Sequence, residues 1–147
     1  MGFRTASVPM SEDEIKKRFV SEIELRGYDD MYIDRNEERE ILQIAIQLGV
    51  SIDSARLALV QVCEDKGFII ESAIARQIKK DVEVRGKVDR NEFEAIFVNT
   101  RKAVQGKKND RDIRKMIVNV MEDTGNNRVK TGWFSNWYAN LKKDLGL

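Results

Sequence analysis

The chain has 147 residues, 26 of them Lys or Arg and 25 Asp or Glu, so its net charge is +1 and no global field recruits nucleic acid or a membrane. It holds no histidine and a single cysteine, Cys63. That composition excludes Ser–His and Cys–His nucleophile pairs, His-ligated metal sites, an internal disulfide and a Cys-cluster metal site. With 41% hydrophobic residues and one proline, it has material for a core that buries roughly 70% of the unfolded surface.

Residues 1–10 read as a flexible tail: they hold no apolar stretch of signal-peptide type, and Ala6 stands where myristoylation of Gly2 wants Ser or Thr. Ser11 opens a first helix, boxed by Glu14, with Ile15, Phe19 and Ile23 on its buried face and Gly27 at its end. Asp34 and Glu37 box a second, which turns Ile41, Leu42, Ala45 and Leu48 inward and stops at Gly49. A third runs from about Ser51 to Asp65, a fourth from about Ile70 to Val84. Asp89 and Glu92 box the fifth, whose apolar face is Phe93, Ile96 and Phe97. The sixth starts near Asn109 and buries Ile113, Met116, Ile117, Val120 and Met121. After a polar loop from Gly125 to Gly132, a last helix spans about Trp133 to Leu145. Alternating runs of strand type are almost missing, and no apolar run approaches the ~20 residues that span a bilayer. Cys63 lies on an apolar stripe one turn after Leu59, where a thiol is buried and inert. A cytoplasmic protein is expected.

The pentapeptide Ile33-Asp34-Arg35-Asn36-Glu37 returns as Val88-Asp89-Arg90-Asn91-Glu92, and Ile41-Leu42 is matched by Ile96-Phe97. This echo implies two helical halves, helices one to three and four to six, with the seventh closing the end.

Three stretches carry candidate chemistry. Asp81 to Glu92 has the layout of a twelve-residue calcium loop, with Asp81, Glu83, Asp89 and Glu92 at ligand places 1, 3, 9 and 12, Gly86 at 6 and Val88 at 8. Arg85 stands at place 5, where a cation repels calcium, so a corner turned by Gly86 and capped by Asp89 is preferred. The first copy fits less well, with Arg26, Tyr28 and Met31 at places 1, 3 and 6. Ile44 to Arg56 has helix-turn-helix spacing, but its second helix offers Ser51, Asp53, Ser54 and only Arg56 as a base, too little for phosphate contacts.

The third stretch is the C-terminal third. Residues 101–147 hold 11 bases and 5 acids, whereas residues 1–40 hold 7 bases and 11 acids. Trp133, Phe134, Trp137 and Tyr138 sit among Arg128, Lys130, Lys142 and Lys143. Helical spacing assigns Phe134, Trp137 and Leu141 to the core. Trp133 and Tyr138, with Arg128 and Lys130, are then the candidate partner contacts. The acidic start and basic end can meet within one chain or between two, which leaves a homo-oligomer open.

The run from Tyr32 to Ser51, an acidic helix start with a Glu-Arg pair and an apolar helix ending Leu-Gly-Val-Ser, resembles the tellurite-resistance TerB-like helical family. A weaker return at Gly86–Glu92 extends the likeness over about residues 28–105. The resemblance implies EF-hand-like helix pairs and an interaction or sensing role in bacterial stress or membrane-associated systems. Some such domains bind metal near the helix start, which here falls on Asp30, Asp34 and Glu37, with Met31 where the family often has glycine.

The expectation is therefore an all-α compact bundle of about seven helices forming one domain over 11–147. It comprises EF-hand-like halves at 11–67 and 68–125 and an aromatic, basic segment at 126–147. Its expected role is that of a non-enzymatic protein-interaction or scaffold module without cofactor, whose partner is another protein. The alternatives are a calcium sensor using Asp81, Glu83, Asp89 and Glu92, and a helix-turn-helix nucleic-acid binder.

Overall fold

A computed structural model of the chain describes residues 10–125, 128–132 and 135–147, so most of the N-terminal tail, and Trp133 and Phe134, lie outside the described residues. The fold class is all-α, with seven helices among the described residues: α1 Glu12–Gly27, α2 Arg35–Gln47, α3 Ile52–Lys66, α4 Glu71–Arg85, α5 Arg90–Val104, α6 Asp110–Asp123 and α7 Trp137–Asp144. Two short strands escape the sequence pattern, β1 Tyr32–Ile33 and β2 Ile69–Ile70. The chain divides into two compact units, the first ending at Ile70 and the second running from Glu71 to Leu147. The division falls after Ile70 and not at the expected 67/68 junction, because Ile69 and Ile70 pair with β1 and so belong to the first unit.

In the first unit, Ser11 Oγ accepts the Glu14 N–H to start α1, and the reciprocal half of the expected box is absent. The Asp34–Glu37 box on α2 forms in full: Asp34 Oδ1 accepts the Glu37 N–H at 2.8 Å and Glu37 Oε1 accepts the Asp34 N–H at 3.2 Å. Gly67, at φ +72°, ends α3 in the left-handed conformation glycine tolerates, and the chain turns into β2. β2 then runs parallel to β1, pairing Tyr32 with Ile69 and Ile33 with Ile70. Phe19, Ile23, Ile33, Ile41, Leu42, Ala45, Ala55, Leu59, Cys63 and Ile70 form the core. Gly27 closes α1 under the Phe68 ring, where a Cβ would lie 2.5 Å from ring carbons, so only glycine fits without displacement. Cys63 is buried as expected, and burial first, then the Glu38 charge, pushes its thiol up to about 12.

The second unit repeats this order of elements. α4 leads to Val88, Asp89 and Glu92 box α5, α6 follows from its cap Asn109, and the chain returns at Val129 to bridge Val88 in parallel. Positions correspond at a spacing of 55 residues through the first two helices (Ile23 with Ile78, Ile33 with Val88, Ile41 with Ile96). The core comprises residues such as Ile78, Val82, Val88, Phe93, Ile96, Ile113, Ile117 and Met121, all nearly inaccessible. Thr100, the one buried polar residue among those described, satisfies its hydroxyl by donating to the Ile96 carbonyl at 2.8 Å. α7 has no counterpart in the first unit.

Candidate functional site

The site is built from the return strand and α7. Main-chain bonds clip the return strand to Val88: the Val88 N–H donates to Arg128 O at 2.7 Å and the Lys130 N–H donates to Val88 O at 2.8 Å. The Arg128 guanidinium is drawn to the Gly86 carbonyl at 3.3 Å and is half-buried, while the Lys130 side chain is exposed. α7 starts at Trp137, four residues later than its aromatic spacing implies, and Asn136 provides no side-chain cap.

Trp137 Nε1–H donates to the Lys130 carbonyl at 3.0 Å, and the indole tilts over Phe93 at 5.8 Å between ring centres. Tyr138 packs edge-on against Trp137 at 5.4 Å and is half-buried. Its hydroxyl donates to Glu122 Oε1 at 3.0 Å, and Lys142 Nζ donates to the same oxygen at 2.7 Å. Burial first, and then Glu122, raises the Tyr138 hydroxyl above its ordinary value. The Lys142 hydrogen bond, helped by Tyr138, holds the Glu122 carboxyl below the usual glutamate value against the opposing effect of burial. The attachment is therefore strongest above the ordinary carboxylate range and weakens as pH falls through it. Arg111 closes the far end, donating to the Asp144 and Leu145 carbonyls at 3.1 and 3.0 Å and so satisfying acceptors that the helix leaves open.

Between α7 and the flank of α5 and α6 lies a cleft of about 270 Å³. Half-buried Trp137 and Leu141 supply its apolar surface, over the buried ring of Phe93, and Arg90, Glu94 and Arg114 its charged margin. Arg114 stacks on the Phe97 ring at 3.8 Å and binds Glu94 through both guanidinium nitrogens, at 2.7 and 3.4 Å, so its charge is spent within the site. Arg90 is exposed and has no ion-pair partner among the described residues. Helical spacing places Phe93 in the core but does not single out Arg90, Glu94 and Arg114, since Arg114 on α6 meets the α5 pair only when the two helices pack.

The four residues that match calcium-ligand places are not gathered into a loop. Asp81 and Glu83 belong to the last turns of α4, and Arg85 sits between the carboxylates, donating to Asp81 Oδ1 at 2.8 Å and lying 3.6 Å from Glu92. Asp89 and Glu92 are consumed in the α5 box, with bonds of 2.7 and 3.3 Å. No group of three or more acidic or thiol side chains is arranged to hold an ion among the described residues. In the first unit Asp30 accepts the Tyr32 N–H at 3.1 Å, and burial first, then the Asp34 and Asp30 charges, raises Glu37. At the helix-turn-helix candidate, Ser51 caps α3 and its hydroxyl donates to Ser54 Oγ at 2.9 Å, while Asp53 and Arg56 are exposed.

No described helix is long and apolar enough to cross a membrane. Comparison of the chain with protein-family models, with curated proteins and with solved structures finds no match in any of the three.

Proposed function

We propose that the chain is a protein-interaction module, binding and not catalytic, whose contact site is the cleft between α5, α6 and α7. The observation that carries this reading is the combination of half-buried Trp137 and Leu141, backed by the buried Phe93 ring, with a charged rim that includes Arg90, which has no ion-pair partner among the described residues. An apolar, aromatic centre ringed by polar groups is the anatomy of a protein contact, and tryptophan and arginine dominate its energetics. Lys130, exposed beside the return strand, extends the rim, whereas Arg128 ties that strand to Gly86 and Tyr138 ties α7 to Glu122. The resemblance of residues 28–105 to TerB-like helical domains points the same way, and a cytoplasmic location and a protein partner belong to the same proposal.

The test is capture of partners from the native host by the wild-type chain and by Arg90→Glu, compared by mass spectrometry. A specific partner lost with Arg90→Glu, at an unchanged thermal midpoint, supports the reading. A partner set indifferent to Arg90→Glu overturns it.

A further inference from the structure

We propose that the face of α5 and α6 beneath α7 is a helix receptor, which releases the chain's own α7 to admit an amphipathic helix of a partner protein that sets a lysine against Glu122 and a carboxylate against Arg90. The inference rests on the interaction reading and names its occupant. α7 is the least firmly held helix among those described. It buries none of its own residues fully, whereas each of the other six buries at least three. Its first turn has no side-chain cap, its ion pair with Glu122 lies at the surface, where such pairs contribute little, and Arg111 holds its end by one exposed and one part-buried bond to carbonyls. Only Leu145, just past its end, is a buried anchor. Elements of this kind open locally while the rest of a domain stays folded.

What α7 covers is by contrast well made, since Phe93 is 1% exposed with α7 in place. α7 also shows what the face accepts: an aromatic residue (Trp137), apolar residues four and eight places on (Leu141, Leu145), and a lysine five places on (Lys142) that meets Glu122. A tethered helix competes at an effective concentration of about millimolar, so a partner helix must make contacts that α7 does not. The fold leaves two such contacts open, the cleft beside Asn140 and Arg90, which has no ion-pair partner among the described residues. A helix of the same spacing with a larger apolar side chain at the place of Asn140 fills the first.

The experiment titrates fluorescein-labelled peptides with the sequence of residues 135–147, natural and carrying Asn140→Leu, against the full-length chain and its Leu145→Asp variant, read by anisotropy. Leu145→Asp removes the anchor of the resident helix, and the expected result is natural-peptide binding at least tenfold tighter than to wild type. The Asn140→Leu peptide binds both proteins more tightly than the natural one, and adding Glu122→Lys to Leu145→Asp weakens binding about fivefold. Equal binding by wild type and a folded Leu145→Asp, or no binding to either, overturns the proposal.

Hydrogen exchange on the unmodified chain covers the case in which Leu145→Asp does not fold. α7 amides exchanging at least a hundredfold faster than those of α5 and α6 support a removable helix, and equal protection overturns it. A concentration-dependent doubling of the 17.0 kDa mass that Glu122→Lys abolishes places a second copy's α7 on this face and overturns the assignment to a different partner. The peptides need no natural partner, so exchange can fail while the cleft reading stands, and the cleft can fail to capture a partner while exchange is still measured.

Discussion

The two units use one plan and differ where the second carries α7. Each places an apolar residue, Ile33 or Val88, immediately before an aspartate cap, pairs it in parallel with a returning segment, and boxes the next helix with a glutamate. Three of the differing positions lie around the capping boxes and the face under α7. The turn before the bridge is left-handed in both, yet it is Met31 at φ 57° in the first and Gly86 at φ 78° in the second. Asp30 in the first unit corresponds to Arg85 in the second, so the carboxylates around the second box have a cation between them, and those around the first do not. Glu38, half-buried, corresponds to Phe93, fully buried under Trp137. What the copies share is what the architecture needs. At the Glu38/Phe93 position the second unit sets a ring against Trp137 where the first has a carboxylate.

Substitutions at these positions break or sharpen the comparison. Phe93→Ala should cost about 3–5 kcal/mol in urea unfolding and free α7 amides to exchange, whereas Glu38→Ala should stay within about 0.5 kcal/mol. A loss below about 1 kcal/mol at Phe93 would show that the two positions are not different in kind. Gly27→Ala should cost about 1–3 kcal/mol by forcing a methyl group into the Phe68 ring, at the place where the second unit buries Val82.

Met31→Gly should gain about 0.5–1 kcal/mol by relieving the left-handed strain, with Gly86→Ala losing about 1 kcal/mol in mirror fashion. A destabilised Met31→Gly would mean that the Met31 side chain is worth more than its strain costs. The smallest effect is expected at the boxes. Because folding raises Glu37, its ionised form costs stability at neutral pH, and that cost fades as pH falls through the carboxylate range. Glu37→Gln keeps the cap acceptor and should gain under about 0.5 kcal/mol at pH 7 and nothing in acid. Glu92→Gln forfeits its contact with Arg85 and should not gain. Thermal midpoints across pH check both.

Helices whose ends are written in side chains were legible beforehand. Asp34–Glu37 and Asp89–Glu92 bracket α2 and α5 in the sequence as they do in the structure. The strands were not legible, because two residues are too few to display a period of two, and their pairing partners lie 37 residues away. The calcium-loop layout competed with a helical signal in the same residues, since Asp81 and Arg85 are four apart and so neighbours on a helix face. Aromatic spacing moved the start of the last helix to Trp133, because it does not reveal that Ser135 and Asn136 precede the helix. The cleft draws on residues from 90 to 144, and its one local clue is the phenylalanine at a position where the earlier copy carries Glu38.

Cys63 has a practical consequence. With its sulfur sealed inside the first unit and its proton held until strongly alkaline pH, almost no thiolate is offered to maleimides, oxidants or glutathione. A cysteine introduced at the surface, at Lys130 for example, would then be the sole reactive sulfur, so a spectroscopic label can report on the folded protein without first deleting the native residue.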